Sequence, residues 1–297
     1  MRVGGIGDFE EWKSMARREL GGREIVASVS GGKDSTAMAL LLKEAEIPYR
    51  CVHLDTGWDH PSTYEYLFEY LSDIIGEVTV LRSHKGGLKD LIRQYKFFPS
   101  RVARFCTREL KLVPIKKYIR SQPEEVVNCI GVRAQESARR AKYPEWEYNN
   151  ELQCDVWRPI LHWTEEDVIA MHHRHGVIPN PLYLVGSNRV GCWPCMFANK
   201  TSLRILATED PERIAEIRAL EKEINDFRRS TNPNSKPVSW FSIGSSDRYM
   251  PIDDAVKWAF TDRTGKELFD VTDRESGCMR WGLCELGHPF REKNSTD

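Results

Sequence analysis

Hydrophobic and polar positions follow two rhythms along the first half of the chain. Short β-branched runs occur at "EIVASVS" (24–30), "YRCVHLDT" (49–56), "EVTVLR" (77–82) and "EEVVNCIGV" (124–132). Bounded by turn formers, such runs predict strands. Between them, "DSTAMALLLKEA", "STYEYLFEYLSDII" and "CTRELKLVPIKKYIRS" carry helical spacing, the last with an expected interruption at Pro114. Strands separated by helices imply right-handed crossovers and a parallel sheet covered on both faces. The expected fold class is therefore α/β and Rossmann-like, with ligands at the carboxyl ends of the strands.

The texture changes near residue 143. The stretch "YPEWEYNNELQCDVWRPILHW" is rich in tryptophan and proline and leads into the helical "TEEDVIAMHHRHG", with Thr164 as N-cap. "VIPNPLYLVGSNRVGCWPC" reads as loop, and a long charged helix is expected over roughly 200 to 229. "STNPNSKPVSW" breaks it. Beyond lie the short helix "IDDAVKWAF" and the segment "SGCMRWGLCELGHPF", read as an appendage.

Composition narrows the class. In 297 residues, 40% are hydrophobic and 29% charged, which is ordinary for a soluble globular protein. The net charge of −1 argues against a wholly basic nucleic-acid binder while leaving room for a local basic patch. No apolar run is long enough for a bilayer, and the amino terminus lacks a secretory h-region, so a cytoplasmic protein is expected. In that compartment the eight cysteines read as core residues, metal ligands or reactive thiols rather than disulfides.

The turn after the first strand, Ser-Gly-Gly-Lys-Asp-Ser at 30–35, is built to receive an anion. Gly31 and Gly32 let a ligand approach the main chain, and the N–H groups of the next helix point at it. Ser30 and Ser35 offer hydroxyls, Lys33 a mobile charge and Asp34 a first-turn carboxylate. A Walker A loop is excluded, because it needs glycine at Ala27 and a hydroxyl residue at Asp34. The plainer reading is a glycine turn before a helix.

The loop matches the S-G-G-x-D-S phosphate loop of the adenine nucleotide α-hydrolase (ATP pyrophosphatase) superfamily. Three more stretches resemble its phosphoadenosine-phosphosulfate (PAPS) reductase family: "HLDTGWDHPSTYEYL", "FCTRELKLVPI" and "IPNPLYLVGSNRVGCWPC". The resemblance covers residues 26 to about 197. It implies a helical segment at 1–23, a nucleotide-binding domain at 24–205 and a helical, cysteine-containing extension at 206–297. It also implies ATP with Mg²⁺ as ligand, its adenine near Asp55, Thr56 and Gly57, and its phosphates met by loop 30–35 and the Gly131-x-Arg133 segment. Lys33, Asp34 and Arg133 are the residues implied in catalysis.

Departures from the family pattern are informative. Reductases of the family commonly have a degenerate phosphate loop, whereas Lys33 and Asp34 here fit ATP better. The first cysteine segment holds Phe105-Cys106 instead of two cysteines, and "CELGH" places Glu285 where the reductase nucleophile motif has glycine. Cys106, Cys192 and Cys195 match the family's cluster positions and suit a [4Fe–4S] cluster or zinc, with Cys278, Cys284 or an open site as fourth position. Cys51 and Cys129 sit in apolar strands as core residues, and Cys154 is undetermined.

Residues 101–120 hold seven Lys or Arg against one acid, and 133–142 add Arg133, Arg139, Arg140 and Lys142. These segments either contact a nucleic-acid substrate or form solvated faces. The "HHRH" group at 172–175, late in a helix, reads as surface histidines. The expectation is an adenylylating, sulfur-transferring enzyme. A sulfonucleotide reductase and a non-catalytic ATP-binding subunit are the rivals. The sequence sets no oligomeric state.

Overall fold

The computed structural model describes residues 7–243, 248–261 and 280–283; Cys278 and Cys284 lie outside them. In chain order come α1 (Phe9–Leu20), β1 (Glu24–Ser28), α2 (Lys33–Glu44), β2 (Tyr49–Asp55), α3 (Pro61–Glu65), α4 (Ser72–Ile75) and β3 (Val78–Arg82). Next are α5 (Leu88–Tyr95), α6 (Phe105–Thr107), α7 (Val113–Arg120), β4 (Val126–Ile130), β5 (Trp146–Asn149), β6 (Cys154–Trp157) and α8 (Glu165–Arg174). Then follow α9 (Pro181–Leu184), α10 (Lys200–Glu209), α11 (Pro211–Thr231), β7 (Phe241–Ile243), β8 (Arg248–Met250) and α12 (Ile252–Ala259). The chain divides into two compact units that interleave in sequence. Met1–Asp55, Pro61–Arg82 and Lys111–Pro181 make the first; Thr56–His60, Ser83–Leu110 and Leu182–Asp297 make the second.

The first unit is an α/β layer built on one sheet in the order β3-β2-β1-β4-β6-β5. Every pairing is parallel except β5 with β6. Central β1 buries Ile25, Val26 and Ala27 in succession, as a strand covered on both faces must. Helix α2 is apolar nearly all round and buries every residue from Thr36 to Leu42, so it sits inside the unit rather than on it. Each of its three leucines contributes roughly 1.5–3 kcal/mol by leaving water. It packs on α8, which Thr164 caps as expected by accepting from the Asp167 amide. The strand order reverses beside β1, where β2 and β4 flank it, the position at which open α/β sheets bind ligands at the carboxyl ends of their strands.

Some expectations are corrected. The tryptophan-rich stretch, for which the sequence pattern predicts no element, holds an antiparallel hairpin of β5 and β6, with Trp146, Trp157 and Trp12 stacked at 4.9 and 5.9 Å. The interruption before Pro114 is a π turn over Arg108–Leu112, and the proline itself occupies the first turn of α7, where its missing N–H costs nothing. His172 is not on the surface. It is wholly buried, its Nδ1 lies 2.9 Å from the Val168 carbonyl, and burial holds its pKa down at about 4.

The second unit is mainly helical. The long helix expected over 200–229 is two, because Pro211 cannot donate into a continuing helix and Asp210 caps the new start by accepting from the Arg213 amide. Helices α10, α11 and α12 pack on one another. Ile214, Ile217, Leu220 and Ile224 form the buried stripe of α11. No helix among the described residues is long and apolar enough to cross a membrane.

Candidate functional site

The first unit gathers loop 30–35 with the end of β4. Loop 30–35 is held in shape by Ser35, whose hydroxyl donates to the Gly32 carbonyl at 3.0 Å and accepts from the Ser30 amide at 3.1 Å. The Ser30 and Ser35 hydroxyls lie 3.3 Å apart. Gly31 takes the left-handed φ of 70° that a side chain resists. Gly32, at the N-cap of α2, has no side chain to cap the helix, so the first-turn amides keep their anion-binding character. Gly131 admits the close approach of β4, since a Cβ there would stand 2.6 Å from the Ser35 Cα and 2.7 Å from the Asp34 carbonyl oxygen.

Arg133 follows that glycine and is almost wholly buried. Its Nε donates to Asp34 Oδ1, and its Nη1 donates to Gln135 Oε1 at 2.7 Å. Asp34 Oδ2 lies 3.2 Å from the Lys33 ammonium, which is 3.6 Å from Glu165 Oε1 on α8. Gln135 Oε1 also accepts the Glu165 amide at 3.1 Å. The structure thus joins Lys33, Asp34 and Arg133, which sequence reasoning singled out, with Gln135 and Glu165, which it missed. Only the acid-rich start of "TEEDVIAMHHRHG" hinted at Glu165, and nothing local tied it to the loop. At the end of β2, the buried Asp55 accepts from the Tyr64 hydroxyl at 2.7 Å and from Arg82 Nε at 2.8 Å.

Thr56 and Gly57 follow Asp55 in the chain and belong to the second unit. The Thr56 carbonyl accepts from the Leu88 amide at 2.9 Å, and Gly57, at φ 62°, faces Gly87. The cysteine segment runs alongside: the Trp193 amide donates to the Trp58 carbonyl at 2.7 Å, and Asp59 forms an antiparallel bridge with Cys192. Cys192 Sγ is consequently 3.5 Å from Thr56 Oγ1. Trp58 anchors the strip, with the Arg213 guanidinium 4.1 Å above its ring and the Trp240 ring tilted against it at 5.0 Å.

Cys106, Cys192 and Cys195 are all partly exposed and all in the second unit. A tetrahedral zinc site, with Zn–S near 2.3 Å, needs sulfurs about 3.8 Å apart. Cysteines of an iron–sulfur cluster bind different irons and stand farther apart. Cys51, Cys129 and Cys154 are buried, and burial pushes the Cys51 thiol up to about 12 and the Cys154 thiol to about 11.

The basic segments spend much of their charge internally. Glu109 takes Lys85 at 2.9 Å and Arg108 at 2.7 Å, and the Lys85 contact foremost holds its carboxyl down at about 2. Arg104 lies 4.6 Å from the Phe197 ring, Arg140 pairs with Glu136, and Arg133 is inside. Arg101, Lys117, Arg139 and Lys142 are exposed.

Residues 24–198 match the phosphoadenosine phosphosulfate reductase domain family. The chain belongs to that family. It is 32% identical over 328 aligned residues to a 37.8 kDa protein of Escherichia phage 186, covering 88% of this chain and 96% of the phage protein. It is also 32% identical over 192 residues to the adenosine 5′-phosphosulfate reductase of Allochromatium vinosum, covering 62% of this chain and 72% of that one. The crystal structure of Candida auris PAPS reductase, a phosphate complex, superposes with a TM-score of 0.50 at 14% identity. That match covers 61% of this chain and 87% of the other, and it bears out the α/β class.

Proposed function

We propose that this member of the PAPS reductase family binds ATP through its β,γ-phosphates at loop 30–35 and adenylylates a substrate. The observation that carries the reading is the intact loop: Lys33 and Asp34 are present, Ser35 braces the turn, and Arg133 is held against Asp34. A substrate oxygen or sulfur attacks the α-phosphorus, the bond to the bridging oxygen breaks, and pyrophosphate leaves. The α2 amides and Lys33 meet the charge that grows on that leaving group. Mg²⁺ carried in with the nucleotide would offset the remainder. Asp55, the last residue of β2, marks the strand end proposed for adenine.

The partly exposed thiols of Cys106, Cys192 and Cys195 form a soft donor set that suits a [4Fe–4S] cluster, with zinc as the alternative. When bound there, a cluster with three thiolate ligands supplies an open iron for sulfur or electron delivery. The exposed cations of segments 101–120 and 133–142 would favour a polyanionic acceptor such as a nucleic acid.

The adenosine 5′-phosphosulfate reductase relative favours a second reading, reduction of a sulfonucleotide to sulfite by a thiol donor. The test is titration of anaerobically purified protein with ATP and with PAPS, alongside iron, sulfide and zinc analysis. Tighter ATP binding with pyrophosphate release supports adenylylation. PAPS preferred, with sulfite produced, replaces it by the reductase.

A further inference from the structure

The Lys33 side chain is only 7% exposed. A buried ammonium needs a counter-charge. Two carboxylates supply it, and they are not equivalent. Asp34 is committed through its other oxygen to the buried Arg133. Glu165 stands at 3.6 Å, beyond ordinary hydrogen-bond length, and its side chain is 31% exposed. Gln135 fixes the register, accepting from Arg133 and from the Glu165 amide at once. In this ring the charges of Lys33 and Arg133 cancel those of Asp34 and Glu165. A polyphosphate therefore has to win Lys33 from a carboxylate, and Glu165 is the one with water to turn to.

We infer that Glu165 is the resident counter-ion of Lys33, released when a pyrophosphate-bearing ligand enters, and that it sets the loop's affinity for such anions. This rests on the phosphate-loop reading proposed above. A carboxylate a few ångströms from a bound polyanion opposes it appreciably even when partly screened. Glu165→Gln should therefore tighten inorganic pyrophosphate binding roughly tenfold. Glu165→Asp keeps the charge and should stay near wild type. The same Gln substitution removes an acid from a helix amino terminus and should lower Tm slightly. A purely structural role would move affinity and stability down together.

The experiment is calorimetric titration of pyrophosphate into wild-type, Glu165→Gln and Glu165→Asp protein, with EDTA and again with Mg²⁺. Tightening in the Gln variant alone supports the inference. Equal affinity in all three overturns it, as does equal tightening in both variants. Weakening in the Gln variant confined to Mg²⁺ buffer also overturns it, making Glu165 a cation ligand. If pyrophosphate binds none of the three, the phosphate-loop reading itself falls.

Discussion

Arg133, buried, and Asp34, largely covered, form an ion pair that ties the end of β4 to the first turn of α2. Removing one partner of such a pair leaves an uncompensated charge and costs about 3–5 kcal/mol. Arg133→Met should lower the unfolding free energy by an amount in that range and abolish ATP binding. Asp34→Asn retains the shape but strands the more deeply buried Arg133 and Lys33 charges, and should destabilise at least as much. Chemical unfolding with calorimetry on both variants checks this, and an Arg133→Met protein that still binds ATP would remove Arg133 from the site.

Gly131 is a packing requirement of the same junction. An added Cβ meets backbone atoms of Asp34 and Ser35 at 2.6 to 2.7 Å, and backbone cannot swing aside as a side-chain tip can. Gly131→Ala should cost about 1–3 kcal/mol and weaken pyrophosphate binding together with stability. Gly7→Ala, where nothing lies within 4 Å, is the matched control and should be silent. Urea titration of the two variants decides it.

Much of this frame was legible in the sequence. Strands β1 to β4 lie inside the β-branched runs, and α2 follows the glycine loop at 30–35 as its pattern required. The β5–β6 hairpin was not legible: each strand has only four residues, too few for a period to stand out among tryptophans and prolines. His172 was misplaced because "HHRH" was treated as one group. Helical spacing puts Val168, Met171 and His172 on a common buried face, with His173 outside. The loop residues were readable because their chemistry is local. Gln135 and Glu165 were not, because only the crossing of α8 over α2 gives them a role.

Glu221 carries a pH dependence in the second unit. It is buried on α11 and accepts the amides of Trp240 at 2.8 Å and Ile252 at 3.0 Å. Burial outweighs those bonds and raises its pKa from 4.5 to about 7, with Asp253 adding to the rise and Arg218 opposing it. The folded chain thus holds this proton more tightly than the unfolded chain does. The associated stability is complete below about 4.5 and is lost as pH rises through about 7. Its size is on the order of 3 kcal/mol. His172 acts oppositely, losing stability as pH falls from 6.5 towards about 4, so the difference between variants is the useful quantity. Glu221→Gln should flatten the decline in unfolding free energy between pH 5 and pH 7.5. A slope identical to wild type would show that Glu221 does not titrate there.

The cysteines divide by burial, and alkylation should reveal the division. Cys51, Cys129 and Cys154 are buried, with thiols pushed well above their ordinary value, so almost no thiolate is present near neutral pH. Cys106, Cys192 and Cys195 are partly exposed. Iodoacetamide applied to the native, metal-free protein should modify these three, and the buried three only after denaturant is added. Peptide mass spectrometry reads both sets. Iron loading before treatment should then protect Cys106, Cys192 and Cys195 together if they hold one cluster. Cys192→Ser should abolish that protection at the other two and the brown colour with it. Protection that survives Cys192→Ser, or that covers only one of the three, would place the metal on other ligands.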